Sequence, residues 1–182
     1  MNKKTILTLS FLSLFALNLF ATDVSLPFGY LNIQLGMSVD ETKEELLKNR
    51  DFGYKGDRDV SLVPGTNQIL IETDASSGYG SIYLSQCWFQ FYNDKLFTIT
   101  INLNQKKMDY YSMFTTLTKK YGEPDTFSPE KAVWKNDDII MSLEKPLTIK
   151  YIDVETYEEI QTYANVQLSA EEVSRNMFLD EF

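Results

Sequence analysis

The segment that most restricts the fold is residues 81–104, SIYLSQCWFQFYNDKLFTITINLN, where apolar and polar side chains alternate along two consecutive runs. Strict alternation is typical of a strand that buries one face. The segment therefore predicts an antiparallel β-hairpin with one apolar side. The apolar positions are Cys87, Phe89, Phe91, Phe97, Ile99, Ile101 and Leu103.

The length of the turn decides which side chains share a face of this hairpin. Because faces alternate along a strand, a loop with an odd number of residues is needed to place Phe89 and Phe91 opposite Ile99 and Phe97. We therefore predict a three-residue loop, Asn93–Asp94–Lys95. The other side of the hairpin then carries Trp88, Gln90, Tyr92, Thr98, Thr100 and Asn102.

Two segments carry helix signals. Ser38 followed by Glu41 is a capping box, and it predicts a helix whose apolar side is formed by Val39, Leu46 and Leu47. A second helix is predicted over DYYSMFTTLTKKYGEP, where two lysines, a glycine and a proline form a typical helix end. Its apolar stripe consists of Tyr110, Met113, Phe114, Leu117 and Tyr121.

The remaining elements are shorter. Residues 69–74, ILIETD, predict a strand, and AVWKNDDIIMSLEKPLTIKYIDV predicts three more. A two-residue turn at Asn136–Asp137 places Trp134 opposite Ile139. Ser169 and Glu172 form another capping box, which predicts a short acidic helix over 169–182 that must dock on something.

Helix followed by antiparallel strands thus occurs twice, over 30–104 and 109–154. Each half alone could bury only one face of its strands, so we expect the two halves to join into one sheet that helices cover on one face. We predict an α+β fold: an antiparallel sheet with helices packed on one face, forming a single domain over 22–182. Two tandem helix-plus-strands repeats within that domain are the alternative description.

The amino terminus predicts export. Lys3 and Lys4 precede an apolar run that closes at Ala21, which is the layout of a cleaved signal peptide over residues 1–21. The apolar part is shorter than the roughly 20 residues that span a bilayer. We therefore expect a periplasmic or secreted protein with no membrane span after cleavage.

Composition excludes several function classes. The formal net charge is −9, which disfavours nucleic acid as a partner. The chain has no histidine, so the usual general base and the commonest zinc ligand are missing. The single cysteine, Cys87, lies among aromatic residues and is interpreted as a core residue. We predict no catalytic residue, no metal site and no cofactor.

A hydrolase that uses two carboxylates leaves little local sequence signature and stays an alternative. The available carboxylates are Asp137, Asp138, Glu155, Glu158 and Glu159.

Two pieces of the chain resemble known envelope modules. IQLGMSVDETKEELL, and YGEP followed by VWKNDDIIMSL, are similar to segments of the outer-membrane assembly lipoprotein BamE and of the β-lactamase inhibitor protein repeats. The chain lacks the lipid-attachment cysteine of the lipoprotein. The resemblance implies a non-enzymatic, protein-binding module.

The functional hypothesis is a soluble exported envelope protein that binds or scaffolds another envelope protein. The predicted binding residues are Trp88, Gln90, Tyr92, Thr98, Thr100 and Asn102, because aromatic residues among adaptable polar neighbours are typical of recognition surfaces. The acidic C-terminal helix is a second candidate surface. A periplasmic small-molecule carrier is the functional alternative, and a hairpin face that is solvated or covered by the 50–68 connection is the structural one.

Overall fold

The computed structural model describes residues 25–62, 67–78 and 80–179. The predicted signal peptide, residues 1–21, lies outside the described residues. The described residues form three α-helices: α1 (Val39–Lys48), α2 (Tyr110–Tyr121) and α3 (Val154–Leu179). The strands are β1 (Gly29–Tyr30), β2 (Ile33–Gln34), β3 (Val60–Leu62), β4 (Gln68–Asp74), β5 (Leu84–Tyr92), β6 (Lys95–Leu103), β7 (Thr126–Phe127), β8 (Lys131–Lys135), β9 (Ile139–Glu144) and β10 (Thr148–Asp153).

Eight of these strands form one antiparallel sheet in the order β3-β4-β5-β6-β10-β9-β8-β7. Each half of the chain therefore contributes a helix followed by four strands that neighbour one another in sequence. The last strands of the two halves, β6 and β10, pair at the centre, where Ile101 lies opposite Ile149. The predicted α+β fold with an antiparallel sheet is confirmed.

The core lies between the sheet and helices α1 and α2. The predicted core residues Phe89, Phe91, Ile99, Ile101 and Leu117 are buried in one hydrophobic cluster. Phe114 is half-buried and packs against that cluster, beside Trp134. The capping box of α1 is also confirmed, since the Ser38 hydroxyl accepts from the Glu41 backbone N–H and the Glu41 carboxylate accepts from the Ser38 backbone N–H. Leu47, predicted on the apolar side of α1, is 65% exposed.

The prediction for the turn of the central hairpin is wrong. The turn has two residues, Asn93 and Asp94, both with positive φ, as residue types that tolerate the left-handed region can adopt. Phe91 therefore lies opposite Leu96, and a bulge at Phe97 restores the predicted pairing of Phe89 with Ile99. The bulge places Leu96, not the predicted Phe97, in the buried cluster with Phe89, Phe91, Ile99 and Ile101, and Phe97 is only partly buried and lies outside that cluster.

The pairing register of the second hairpin, formed by β8 and β9, differs by two residues from the predicted register. Trp134 lies opposite Met141, not Ile139, although all three stay on the buried side. The Asn136 side chain accepts from the backbone N–H groups of Asp138 and Ile139, which moves the turn along the chain. An asparagine that caps its own turn is a local effect that alternation does not reveal.

The predicted helix over 169–182 is not a separate element. Helix α3 is continuous from Val154 to Leu179, and the Ser169 hydroxyl donates to the Asn165 carbonyl inside it. The helix is capped instead by Asp153, the residue before its first, whose side chain accepts from the Thr156 amide at 2.9 Å. No glycine or proline interrupts residues 154–179, so nothing ends the helix before the capping signal at Ser169.

Candidate functional site

The outer face is the side of the eight-stranded sheet that points away from α1 and α2. Alternation along β5 and β6 places all six predicted binding residues on it. The register extends it to the neighbouring strands, with Glu72 beside Trp88 and Lys150 beside Thr100. Its members outside the central hairpin include Leu70, Glu72, Lys131, Val133, Lys135, Ile140, Ser142, Glu144, Thr148, Lys150 and Ile152.

The six predicted residues differ in how much surface they offer. Gln90 is exposed, and Trp88, Tyr92 and Asn102 are half-buried. Thr98 and Thr100 retain only 6% and 5% exposure, because each is flanked on both sides. Thr98 lies between Gln90 and Ile152, and Thr100 lies between Trp88 and Lys150. The threonines therefore form the floor of the outer face, and the larger side chains form its contact surface.

The described part of the 50–68 connection does not cover the outer face. Its first turn inserts Phe52 into the core, where the ring packs edge-on against Phe89 with centroids 5.7 Å apart. Its end forms β3, which extends the sheet sideways next to β4. Three carboxylates, Asp59, Glu72 and Asp74, and one cation, Arg58, line a cleft of about 340 Å³ where β3 and β4 meet, so acidic groups are in excess at this end of the outer face.

A charged cluster on β9 and β10 was missed by sequence reasoning. Lys150 Nζ lies 2.8 Å from Glu144 Oε2, and the Ser142 hydroxyl donates to Glu144 Oε1 at 3.1 Å. Partial burial opposes ionisation of Glu144, but these two partners and the nearby Lys131 hold its pKa below the usual value. The only sequence signal is a lysine and a glutamate on adjacent strands, and their register is not visible before the strands are paired.

The start of α3 is tied to the central hairpin by an ion pair. Lys95, which lies opposite Tyr92, places its ammonium 3.1 Å from Asp153 and 3.5 Å from Glu155. Partial burial opposes ionisation of Asp153, but its bonds to Thr156 and Lys95 hold its pKa below normal. Helix α3, whose last part contains the acidic segment predicted as the second candidate surface, therefore begins beside the turn of the central hairpin.

Two of the five carboxylates of the hydrolase alternative line one cleft, and the other three lie outside its lining. Asp137, Asp138, Glu155, Glu158 and Glu159 are all exposed. The cleft has a volume of about 480 Å³ and is lined by Asp137 and Glu158 together with Asp125 and Lys135. Glu155 pairs with Lys95 instead. Within the described ranges, no group of three acidic or cysteine side chains is arranged to hold a metal ion.

Cys87 lies on the buried side of β5, with no exposed surface, and its burial raises its pKa to about 12. The thiolate is the reactive form of cysteine. We expect Ellman's reagent to label the native protein at least about 100-fold more slowly at pH 8 than the urea-unfolded chain. Stoichiometric labelling of the native protein within minutes would contradict the burial of Cys87.

Along the described ranges, no helix has the length and apolarity needed to cross a bilayer.

Fold and site together define a class: a two-layer α+β protein with helices on one side of an eight-stranded sheet and an aromatic, threonine-floored face on the other. The chain belongs to the TP0088 domain family, whose model matches residues 28–163. That range contains all ten strands, α1, α2 and the first part of α3. No curated protein and no solved structure shows significant similarity to the chain.

Proposed function

We propose that this protein is an exported, non-catalytic module that binds another protein of the cell envelope through the outer face. The observation that carries the proposal is the sheet side presenting Trp88 and Tyr92 among polar residues, uncovered by α1 and α2. The solvated face of an antiparallel sheet is commonly polar. Two large aromatics on such a face favour recognition.

The placement of the two aromatics suits them to act as anchors. Trp88 lies between Glu72 and Thr100 in the register, and Tyr92 lies between Gln68 and Lys95. A half-buried ring that is held by its neighbours loses little conformational freedom when a partner covers its remaining surface. Tryptophan and tyrosine are the residues at which binding energy concentrates most often.

The charges of the outer face give the interface a direction. Carboxylates of Glu72 and Asp74 lie on β4, towards one edge of the sheet, and Lys131 and Lys135 lie on β8, towards the other. Complementary charges on a partner would fix its orientation and speed its association. A partner that crosses the strands with cationic groups over β4 and acidic groups over β8 matches this arrangement.

A non-catalytic role agrees with the chemistry of the chain. The sequence contains no histidine, and its one cysteine is buried with a raised pKa. The carboxylates proposed for a hydrolase are solvated at the surface. Binding is therefore the function that the described groups support best.

The test is to replace Trp88 and Tyr92 together by alanine and to recover partners by crosslinking in the source cells. We expect the double variant to retain its fold and to lose its specific partner, with affinity reduced at least about 100-fold. Circular dichroism checks the fold, and the purified pair, once identified, gives the affinity.

The matched control replaces two exposed aromatics outside the outer face, Phe28 and Tyr111, by alanine. This control should retain the partner at wild-type yield. Retention of the partner by the Trp88/Tyr92 variant, or crosslinking that yields no partner for the wild-type protein, would refute the proposal.

A further inference from the structure

A cleft on the helical side of the molecule is not part of the outer face. It lies where α1 ends and the chain turns through a 3-10 helix at Arg50–Phe52. Its volume is about 380 Å³, and we call it the α1 cleft. The lining residues are Leu46, Leu47, Arg50, Gly53, Tyr54 and Lys55.

The chain around the α1 cleft is held firmly. Phe52 is buried in the core and fixes the residues on either side of it. Gly53 has φ +66, donates its N–H to the Arg50 carbonyl, and is so close to the Asp74 carbonyl that a Cβ would collide with it. The Lys55 N–H donates to the Asp59 carboxylate at 2.7 Å. A site fixed in this way needs little ordering when a ligand binds.

The α1 cleft combines an apolar floor with cations. Leu46, Leu47 and the half-buried Tyr54 supply the floor, and Leu47 keeps 65% of its surface exposed although it is a large aliphatic residue. Arg50 and Lys55 are exposed beside it, and neither forms an ion pair with any residue in the described ranges. Two unpaired cations at one cleft stand out in a chain of net charge −9.

We propose that the α1 cleft binds the C-terminal end of a polypeptide whose last residue is apolar. The guanidinium of Arg50 offers the planar pair of donors that matches a carboxylate, and Lys55 adds a second charge. The leucines and Tyr54 receive the terminal side chain. A bare phosphate would leave this floor unused, so the floor selects an anion attached to an apolar group.

The shape of the cleft favours a chain end over a fatty acid. A volume near 380 Å³ lies at the small end of ligand pockets, which run from roughly 300 to 1,000 Å³. It accommodates one or two residues, and it is open to solvent. A long alkyl chain requires an enclosed apolar channel to bury most of its surface. The proposal does not depend on the outer face, which lies on the other side of the sheet.

The experiment is an NMR titration of the full-length protein with N-acetyl-Ala-Leu-Phe, with its C-terminal amide, and with octanoate. The free-acid peptide should shift the amide signals of Leu47, Gly53 and Lys55, and the amide form should bind at least about tenfold more weakly. Arg50→Gln and Lys55→Gln should each weaken binding of the free-acid peptide by a factor similar to that lost on amidation. Leu47→Ser, at an exposed position, should weaken both peptide forms.

Arg58→Gln is the matched control, because Arg58 is an exposed cation three residues beyond Lys55 that does not line the α1 cleft. It should bind the peptide as the wild type does, and all variants should keep the wild-type circular dichroism spectrum. Equal affinity for the acid and amide peptides, equal weakening by Arg58→Gln, octanoate binding as tightly as the peptide, or no shift at millimolar peptide would each overturn the proposal.

Discussion

Replacing Phe52 by alanine is expected to lower the free energy of unfolding by about 3–5 kcal/mol. The ring has no exposed surface, and it packs edge-on against Tyr30 and Phe89 with centroids 6.0 and 5.7 Å away. Truncation removes those contacts and leaves a cavity that the surrounding 3-10 turn and sheet cannot close without moving. Urea unfolding followed by tryptophan fluorescence measures the loss.

Phe28→Ala provides the comparison for Phe52→Ala, because Phe28 is the same residue type and is 49% exposed. We expect Phe28→Ala to lower the free energy of unfolding by less than about half as much as Phe52→Ala, since it removes less buried apolar surface. If the two substitutions lower the free energy of unfolding equally, Phe52 is not buried in the core. In that case Phe52 does not hold the chain around the α1 cleft in place.

Phe52 also shows where sequence reasoning fails on this fold. It lies in NRDFGYKGDRD, which has no helical or strand period and reads as a solvated connection. Its burial depends on Phe89, a residue distant in sequence. The hairpin of β5 and β6 could be predicted because its signal is the alternation itself, whereas a single aromatic residue in a loop gives no periodic signal.

Only the part of the outer face that lies within the central hairpin could be predicted, because alternation along a strand is visible in the sequence and contacts between distant strands are not. Alternation placed the six hairpin residues on one side, and the structure agrees. It could not show that Lys150 would lie beside Thr100, because that contact joins the two halves of the chain through β6 and β10. The burial of Thr98 and Thr100 follows from this pairing, so neighbours from the second half decide how much of the predicted surface remains.

Helix α3 shows a competition between two local signals. Ser169 and Glu172 fit a capping box, yet Ser169 donates to the Asn165 carbonyl within one continuous helix. A capping residue favours a helix start only where the preceding residues leave the helical conformation. Because neither glycine nor proline precedes Ser169 in α3, the helix that Asp153 caps continues through Ser169.

Trp134→Ala is expected to lower the free energy of unfolding by about 3–5 kcal/mol. The indole is 2% exposed, and its Nε1–H donates to the Gly122 carbonyl at 2.8 Å. Gly122 ends α2 with φ +84, so the indole joins the end of that helix to strand β8. The glycine in KKYGEP is thus both a helix end and an acceptor that positions the second half of the sheet.

Trp134→Phe separates the hydrogen bond from the packing. It keeps most of the apolar volume but leaves the Gly122 carbonyl without its indole donor, for which we expect a cost of about 1–3 kcal/mol. The alanine variant should therefore be clearly less stable than the phenylalanine variant in the same urea titration. Equal stability of the two variants would mean that packing around the indole contributes nothing. A phenylalanine variant as stable as the wild type would mean that the bond to Gly122 does not hold α2 to β8.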